Sequence, residues 1–445
     1  MELRGSRNIV CGLGRSGEAL ISYLDKKGAE ILVSDKRKSE NEIADVLANK
    51  GIKNAKIIKY GDFPKADFVY RTPAIRPDAL EILSAIQKGA ILTSEAELFF
   101  NIAKGKFIGI TGSDGKTTTT TLTYEILKRK QGVNNTFIGG NIGIPLISLA
   151  DKLKNDSITV CELSSFQLMS FKRSPHVSAV TNITENHLDY HRDMSEYVLA
   201  KSNVFVHEDC QRLVIDSRAY SVLKEYVEPS KCEVMTFSLD GNVTDIALDN
   251  GYIKLFDKKI LPVSAIKAGG THNVKNFMTA IGLTYGFADI SEVMAVAESF
   301  KGVANRCELV GEKDGTVFIN SSVDSTPSRT LMTLKSLPYR DITVILGGYD
   351  KNLDFRELSE YINEKNIKAV LIGANKVKIK RSLLGYRKEV NNVYEANDLT
   401  DGVNVAMTVT RRGGCILLSP ASASFDMFKD YEERGDAFKN IIKTI

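Results

Sequence analysis

The stretch Phe107-Ile108-Gly109-Ile110-Thr111-Gly112-Ser113-Asp114-Gly115-Lys116-Thr117-Thr118 joins an apolar, strand-like run to a helix-like run, Thr117–Lys130. Backbone N–H groups of such a glycine-rich turn, together with the helix amino terminus, bind phosphate oxygens. Lys116 would neutralise the β- and γ-phosphates, and the Thr117 hydroxyl would reach Mg²⁺. The motif is a shortened Gly-x-x-Gly-Lys-Thr with Ile110 in place of the first glycine of the full pattern, so a chance Gly-Lys-Thr in a turn is the alternative.

Similar strand–turn–helix patterns recur on both sides of this loop. Short β-rich runs that alternate with helices predict an α/β fold with mostly parallel sheets. The predicted strands are Asn8–Cys11, Glu30–Val33, Phe107–Ile110, Ser157–Cys161, Ser178–Asn182, Ile342–Leu346, Ala369–Ile372 and Cys415–Leu418. We expect three domains: a Rossmann-like domain over 1–97, a central P-loop ATPase-like domain over 98–302, and a Rossmann-like domain over 303–445.

Composition excludes several classes of protein. The net charge of +4, from 59 basic and 55 acidic residues among 445, does not indicate a nucleic-acid partner. The six cysteines form no CxxC pair, which argues against structural zinc and favours reduced thiols in a cytosolic protein. No signal-peptide pattern and no long apolar run predict a membrane segment.

A second glycine motif, Gly12-Leu13-Gly14-Arg15-Ser16-Gly17, follows the first predicted strand. A helix-like stretch, Glu18–Lys27, comes next, and a second strand ends at Asp35. This layout is typical of Rossmann domains, in which the acid binds a ribose. The motif predicts a nucleotide diphosphate without specifying which one, and a glycine-rich turn without a ligand is the alternative.

Three further residues are candidates for metal binding or catalysis. Glu162 follows a predicted strand beside the phosphate loop, where an acid can hold Mg²⁺ or can simply be solvated. His187 belongs to a segment that also contains His176 and His191; each can ligate a metal or fill a polar corner. Lys201 falls within the apolar stripe of the predicted helix Ser195–Phe205, so it is either a functional lysine or one that reaches the surface.

The segment His272-Asn273-x-x-Asn276 opens another helix-like stretch, Val274–Leu283, after Gly269-Gly270. Amide and imidazole groups at a helix start can cap the helix. They can equally face a nucleotide.

Taken together, these segments resemble the Mur ligases of peptidoglycan synthesis. The loop Gly109–Thr118 resembles their ATP loop, whereas Glu162-Leu163-Ser164-Ser165-Phe166-Gln167-Leu168 and Leu418-Ser419-Pro420-Ala421-Ser422-Ala423-Ser424-Phe425-Asp426-Met427-Phe428, with Arg434-Gly435 beyond, are similar to the members that add D-glutamate. The resemblance implies ATP-dependent addition of D-glutamate to UDP-N-acetylmuramoyl-L-alanine through an acyl phosphate. It also implies a cytoplasmic monomer without nucleic-acid or membrane partners.

The resemblance assigns roles by position in this sequence. The implied ATP contacts are Gly112, Ser113, Asp114, Gly115, Lys116, Thr117, Thr118, Asn273, Asn276 and Arg306. Two magnesium ions are implied, one on Thr117 and Glu162 and the other on His187 and a Lys201 carbamylated by CO₂. The implied contacts of the UDP substrate are Gly14, Arg15, Ser16, Asp35, Arg37, Thr72, Pro73, Ala74, Asn141 and Gln167. Those of D-glutamate are Lys351, Ser424, Phe425 and Tyr431. Lys116, His187 and Lys201 are the expected catalytic residues.

Some positions depart from the family pattern. Ser321 stands where an acid for the ATP ribose is expected, Val323 where a lysine is common, Asn305 where a His is usual, and Asp114 where Asn is common. These changes leave two alternatives open: a related Mur or folylpolyglutamate-type ligase for another amino acid, or a nucleotide-binding regulator without ligase activity.

Overall fold

The structure is a computed structural model that describes residues 2–188, 190–228, 232–240, 244–268, 270–385 and 392–445. The chain divides into two compact units, Met1–Phe300 and Lys301–Ile445. The first unit contains a five-stranded and a nine-stranded sheet, and the second contains a six-stranded sheet. Most strand pairs are parallel, which confirms the predicted α/β fold. Gly269, which the sequence placed before a nucleotide-facing helix, lies outside the described residues.

The first sheet consists of β1 (Arg7–Cys11), β2 (Glu30–Ser34), β3 (Ala55–Ile57), β4 (Phe68–Arg71) and β5 (Ile91–Thr93). All its strands are parallel, in the order β3-β2-β1-β4-β5. Its helices are α1 (Arg15–Lys26), α2 (Glu40–Asn49), α3 (Leu80–Gln87) and α4 (Glu95–Ile102). A Cβ on Gly17 would lie 2.0 Å from the Gly12 carbonyl oxygen, so the turn between β1 and α1 requires glycine there.

The second sheet consists of β6 (Lys106–Thr111), β7 (Thr136–Gly140), β8 (Ile158–Glu162), β9 (Val177–Val180), β10 (Arg212–Asp216), β11 (Glu233–Ser238), β12 (Ile246–Asp249), β13 (Tyr252–Leu255) and β14 (Lys258–Pro262). Their order is β14-β13-β12-β11-β10-β9-β6-β8-β7. Neighbouring strands are parallel from β7 through β8, β6, β9, β10 and β11 to β12. Strands β13 and β14 extend the sheet beyond β12 in antiparallel pairing. The carboxyl ends of β6, β8 and β9 therefore meet at one edge, where ligands bind in open α/β sheets.

The helices that accompany this sheet are α5 (Lys116–Gln131), α6 (Ser165–Leu168), α7 (Met194–Ser202), α8 (Ser217–Lys224), α9 (Thr271–Thr284) and α10 (Ile290–Ser299), with 3₁₀ turns at Leu146–Lys152 and Val263–Ala265. Helix α7 ends three residues before the predicted Phe205, because the chain tightens into turns in which the Val204 N–H donates to the Lys201 carbonyl. Val204 and Phe205 are nevertheless buried, as the apolar stripe predicted.

The second unit contains β15 (Glu308–Lys313), β16 (Thr316–Asn320), β17 (Ile342–Leu346), β18 (Lys368–Leu371), β19 (Val393–Glu395) and β20 (Cys415–Leu418). The strand order is β15-β16-β20-β17-β18-β19, with β15 antiparallel and the others parallel. Its helices are α11 (Pro327–Ser336), α12 (Arg356–Glu364), α13 (Lys376–Leu384), α14 (Leu399–Val409) and α15 (Tyr431–Thr444). Separate apolar clusters form in this unit around Val344 and around Ile345, whose side chains alternate between the two faces of β17.

All six cysteines are free thiols. Within the described ranges, none of the helices combines the length and the apolar content that crossing a bilayer requires.

Candidate functional site

The phosphate loop lies between the end of β6 at Thr111 and the start of α5 at Lys116. Gly112 and Gly115 adopt φ angles of 143° and 78°, which favour glycine and shape the turn. In the described part of the chain, no side chain caps the amino terminus of α5. The first N–H groups of α5 can therefore donate to an anion such as a phosphate.

Residues that follow β9 hold this loop in place. The Oδ1 atom of Asn182 accepts hydrogen bonds from the backbone N–H groups of Ser113 at 3.0 Å and Asp114 at 2.8 Å. The Thr181 hydroxyl donates to the Asp114 carbonyl at 2.5 Å. Sequence reasoning did not assign this supporting role to Thr181 and Asn182. Their position directly after a strand that neighbours β6 could have indicated contact with the loop.

Two lysine side chains converge on one carbonyl of the loop. Nζ of Lys116 and Nζ of Lys201 donate to the Gly112 oxygen at 2.9 Å and 2.7 Å. Lys201 is 1% exposed, and its Nζ lies 4.5 Å from the centre of the Tyr197 ring. Burial, followed by the nearby Lys116 ammonium, holds the pKa of the Lys201 amine well below its usual range. The amine of Lys201 is thus biased toward its neutral, nucleophilic form.

Glu162 ends β8, directly beside Ile110 of β6, and is 1% exposed. Its Oε1 accepts from the Asn141 side chain at 2.8 Å, whereas the buried Oε2 has no hydrogen-bond partner among the described residues. A buried carboxylate oxygen without a donor is costly unless a cation or proton satisfies it. This oxygen, beside a phosphate loop that carries Thr117, fits a Mg²⁺ ligand.

Elsewhere in the described ranges, no three His, Cys, Asp or Glu side chains gather into a group that could hold a metal ion by themselves. The described set fits a second ion less well, because an unmodified Lys201 offers no oxygen, the ligand that Mg²⁺ prefers.

The three histidines of the central segment occupy different environments. His176 accepts a hydrogen bond from the Phe107 backbone at 3.1 Å, and His191 is buried with its Nε2 3.0 Å from the Ser165 hydroxyl. Burial lowers the pKa of His191 to about 4. His187 is exposed, adopts a φ of 57°, and lies 4.9 Å from the Phe166 ring, centre to centre. Of the three, His187 is therefore the most exposed.

Asn276, in the first turns of α9, contacts the phosphate loop region. Its Oδ1 accepts from the Thr119 hydroxyl at 3.3 Å, and its Nδ2 donates to the Asn273 side chain at 3.2 Å. A Cβ on Gly115 would lie 2.6 Å from the same Oδ1 atom. The predicted nucleotide residues Asn273 and Asn276 are thus brought to the loop that carries Thr117 and Thr118.

The amino-terminal glycine turn is held by the residue predicted to bind a ribose. Both carboxylate oxygens of Asp35 accept backbone N–H groups: Leu13 at 2.7 Å, Arg37 at 2.7 Å and Lys38 at 3.1 Å. Burial alone would raise the pKa of this carboxyl, but the three donors hold it below its usual range. These three hydrogen bonds close the turn before α1. The Arg37 side chain is exposed beside it.

A small cavity, with room for about one water molecule, lies beside the amino terminus of α1. Ser16, Thr72, Pro73 and Gln167 line it, which unites four residues predicted for the UDP substrate. Gly14 precedes α1 as its cap, and the Arg15 side chain donates to the Gly143 carbonyl at 2.6 Å. Asn141 lies at the neighbouring Glu162 instead, and Ala74 is exposed.

In the second unit, the residues predicted for the amino acid lie after β17 and β20. Nζ of Lys351 lies 5.5 Å from the centre of the Phe425 ring, and Phe425 is 62% exposed. Tyr349 packs against Phe425 with ring centres 6.2 Å apart. Ser424 is buried, whereas Tyr431 is partly exposed and begins α15.

Three of the positions that depart from the family pattern, Asn305, Ser321 and Val323, make local contacts in this unit. Ser321 is buried, and its hydroxyl accepts the Cys307 backbone N–H at 3.2 Å. The Asn305 side chain accepts from Asn320 at 2.8 Å, and the Asn305 carbonyl accepts from the Val323 N–H. Arg306 follows Asn305 and is half-buried.

Comparisons with known proteins bear on this site. A family model described as the Mur ligase MurD-like amino-terminal domain matches residues 6–94, and one described as the Mur ligase middle domain matches residues 110–284. The UDP-N-acetylmuramoylalanine–D-glutamate ligase of Clostridium kluyveri is 40% identical over 441 residues, which are 97% of this chain and 95% of that protein.

Solved structures share the fold at lower identity. The UDP-N-acetylmuramate-alanine ligase MurC of Thermotoga maritima superposes with a TM-score of 0.56 at 20% identity, over 99% of both chains. MurF ligase of Thermotoga maritima, solved in complex with ADP, gives a TM-score of 0.54 at 16% identity, over 100% of this chain and 96% of that one. These two likenesses concern the fold alone.

Proposed function

Because the chain belongs to the Mur ligase family, we propose that it uses ATP to join D-glutamate to UDP-N-acetylmuramoyl-L-alanine in the synthesis of peptidoglycan precursors. The observation that carries this proposal is the convergence of Lys116 and Lys201 on Gly112 of the phosphate loop. The choice of amino acid rests on the 40% identity to a D-glutamate ligase over nearly the whole chain.

The chemistry explains why such an enzyme needs ATP. A carboxylate does not condense with an amine unaided, because its oxygen is a poor leaving group. Transfer of the γ-phosphoryl group to the L-alanine carboxylate breaks the bond to ADP and forms an acyl phosphate. The amine of D-glutamate then attacks the carbonyl carbon, phosphate leaves, and an amide remains. Phosphoryl transfer depends on positioning and on charge neutralisation.

The phosphate loop supplies much of that charge and positioning. Residues 112–118 would hold the β- and γ-phosphates. Their binding groups would be the N–H groups at the start of α5 and the Lys116 ammonium. For this, Nζ of Lys116 exchanges its carbonyl acceptors on Gly112 and Ser113 for phosphate oxygens. Asn273 and Asn276 are adjacent to the loop, and we assign Arg306 to the nucleotide as well.

Thr117 and Glu162 would hold one magnesium ion, whose charge offsets that of the phosphates. The unsatisfied Oε2 of Glu162 supports this assignment. We assign His187 and a carbamylated Lys201 to a second ion. Carbamylation needs a neutral amine, and burial, which lowers the pKa of Lys201, favours that form. Incubation with ¹³C-bicarbonate should give a carbamate carbon signal that the variant Lys201→Met lacks.

The remaining assignments concern the other substrates. Gly14, Arg15, Ser16, Asp35, Arg37, Thr72, Pro73, Asn141 and Gln167 would contact the UDP-sugar-peptide, which is far larger than the small cavity that Ser16, Thr72, Pro73 and Gln167 line. Lys351 would pair with a carboxylate of D-glutamate beside Ser424, Phe425 and Tyr431. We assign residues 1–97 to the UDP substrate, 98–302 to ATP and 303–445 to the amino acid, in a monomer that works in the cytoplasm.

An assay of ADP formation tests the proposal. ADP should appear only when UDP-N-acetylmuramoyl-L-alanine and D-glutamate are both present. The variant Lys116→Ala should be inactive, while Lys128→Ala, at the far end of α5 and paired with Glu125, should keep full activity. Stimulation by a different amino acid would identify a related ligase, and no substrate-dependent ADP at all would identify a nucleotide-binding regulator.

A further inference from the structure

Arg71, the last residue of β4, is buried at 2% exposure and spans the two sheets of the first unit. Its guanidinium donates four hydrogen bonds. Nε reaches the Ser170 hydroxyl at 3.0 Å, and Nη1 reaches the Ile75 carbonyl at 3.0 Å. Nη2 reaches the carbonyls of Phe166 at 2.6 Å and Gln167 at 3.3 Å. Three of the four acceptors therefore belong to α6 and the turn after it.

Helix α6 is only four residues long, so its stability depends on hydrogen bonds to the backbone groups at its two ends. A capping box between Ser164 and Gln167 satisfies its amino terminus. The carbonyls at the carboxyl end of a helix have no partner within the helix. In the described part of the chain, the carbonyls of Phe166 and Gln167 receive no backbone donor, so Arg71 from the other sheet supplies the cap.

The capping box also fixes the direction of the Gln167 side chain. Its Oε1 accepts from the Ser164 N–H at 2.9 Å and from the Ser164 hydroxyl at 3.0 Å. Held in this way, Gln167 lines a small cavity together with Thr72, Pro73 and Arg71 itself. The guanidinium of Arg71 thus binds both α6 and the Ile75 carbonyl, at the end of the turn that follows Arg71.

Arg76 holds the other end of the turn from Thr72 to Ile75 by hydrogen bonds. Arg76 donates to the Tyr190 carbonyl at 2.6 Å and to the Glu196 carboxylate at 2.7 Å, in α7. Helix α7 also carries Lys201. The turn from Thr72 to Ile75 is therefore anchored at both ends to segments of the central sheet that carry functional candidates.

The burial of Arg71 indicates a specific role. Burial lowers the pKa of its guanidinium, and within the described ranges no carboxylate lies at ion-pair distance from it. A buried charge held only by neutral acceptors is costly. Only a planar fork with several donors can reach acceptors in three directions at once, so lysine cannot replace it.

We propose that Arg71 is a positioning residue for the UDP-sugar-peptide substrate. It holds α6 against β4, and so keeps Gln167 close to the turn Thr72-Pro73, two parts of the proposed UDP substrate site. The identity of the substrate in this proposal rests on the proposed function. The hydrogen bonds of Arg71 are observed independently of it.

Kinetics of the variant Arg71→Lys provide the first test. We expect the KM for UDP-N-acetylmuramoyl-L-alanine to rise about tenfold to a hundredfold, because the charge-assisted bonds that hold Gln167 are lost. The KM values for ATP and D-glutamate and the kcat should stay within about threefold, since Arg71 touches neither the phosphate loop nor the second unit's candidate site. An unchanged KM for the UDP substrate, or equal losses in all parameters, would overturn the proposal.

Amide hydrogen exchange provides a second test that needs no activity. Exchange of residues 164–171 should accelerate in Arg71→Lys and Arg71→Gln relative to the rest of the first unit. Arg212→Ala is the matched control, because Arg212 also donates to a carbonyl, that of Tyr285, but at the start of β10. This control should lower stability without altering the KM or the exchange of α6.

The two tests separate the two proposals. If the unmodified protein forms no ADP with both substrates, the proposed function fails while the exchange measurement still decides the role of Arg71. Unchanged exchange in α6 would overturn the role of Arg71 and leave the ligase proposal intact.

Discussion

Nζ of Lys201 donates a hydrogen bond of 2.7 Å to the carbonyl oxygen of Gly112. The two residues lie far apart in sequence, on α7 and on the phosphate loop. This contact ties the buried lysine to the element that would hold the nucleotide. It also makes the chemistry of Lys201 sensitive to what the loop binds.

Replacement of Lys201 by methionine tests its chemical role, because methionine keeps a long apolar stem and should preserve packing. We expect ADP formation to fall by at least about a hundredfold, as expected when a preorganised charged group is lost. The control is Lys224→Met, since Lys224 also lies 4.5 Å from the ring of a tyrosine four residues earlier but is exposed. Full activity in Lys201→Met would contradict the mechanism.

Glu162→Gln removes one negative charge and keeps an oxygen for the Asn141 side chain. We expect the magnesium concentration for half-maximal activity to rise at least about tenfold, because the neutral amide is a weaker ligand for a hard cation. A titration of ADP formation against Mg²⁺ measures this. Glu125→Gln, on the partly exposed face of α5, should leave the titration unchanged, and an identical curve for both variants would remove Glu162 from the metal site.

Stability should depend on pH through Glu95, a buried residue of α4 whose Oε1 accepts the Ile147 N–H at 2.6 Å. Burial raises its pKa from 4.5 to about 7. Between these values the folded state binds more protons than the unfolded state, so the free energy of unfolding falls as the pH rises. Above about pH 7 both states have released the proton, and the loss is complete.

Glu95→Gln should therefore be more stable than the unmodified protein at pH 8, by up to about 3 kcal/mol, and similar to it at pH 5. Urea denaturation at the two pH values, followed by circular dichroism, measures the difference. Glu97 is also buried, with its pKa raised to about 7, so it adds to the fall of the free energy of unfolding with pH in the unmodified protein. An equal stability difference at both pH values would contradict the protonation argument.

The amino-terminal glycine motif offers a matched pair of variants. A Cβ on Gly17 would lie 2.0 Å from the Gly12 carbonyl oxygen, whereas one on Gly14 would meet nothing within 4 Å. Gly17→Ala should lower the free energy of unfolding by about 2–4 kcal/mol, because backbone must move. Gly14→Ala should change it by less than about 0.5 kcal/mol. Equal changes in the free energy of unfolding for the two variants would contradict the steric argument for Gly17.

Local patterns predicted much of this protein. The phosphate loop, the alternation of strands and helices, and the burial of Lys201 each depend on residues close in sequence, which a reader of the chain can see. The strand Ile342–Leu346 has the predicted bounds, and Lys201 is buried as its apolar neighbours indicated. The Mur ligase resemblance is confirmed by the comparisons.

The missed features depend on contacts between distant segments. Asn182 supports the phosphate loop only because β9 lies beside β6 in the sheet, and Arg71 caps α6 across two sheets. Asp35 shows a different limit. Its spacing after the glycine motif fits a ribose contact, but spacing does not reveal that its oxygens already accept three backbone N–H groups.

Strand β14, at the outer edge of the nine-stranded sheet, influences how copies of this chain meet at high concentration. An edge strand presents unpaired backbone groups on which another chain can add as a further strand. Here the edge carries the exposed Lys258 and Lys259, ends at Pro262, and is paired to β13 through an irregular register. Like charges repel across such a junction, and proline has no N–H to offer. The antiparallel extension thus ends the sheet in a form that resists growth into aggregates.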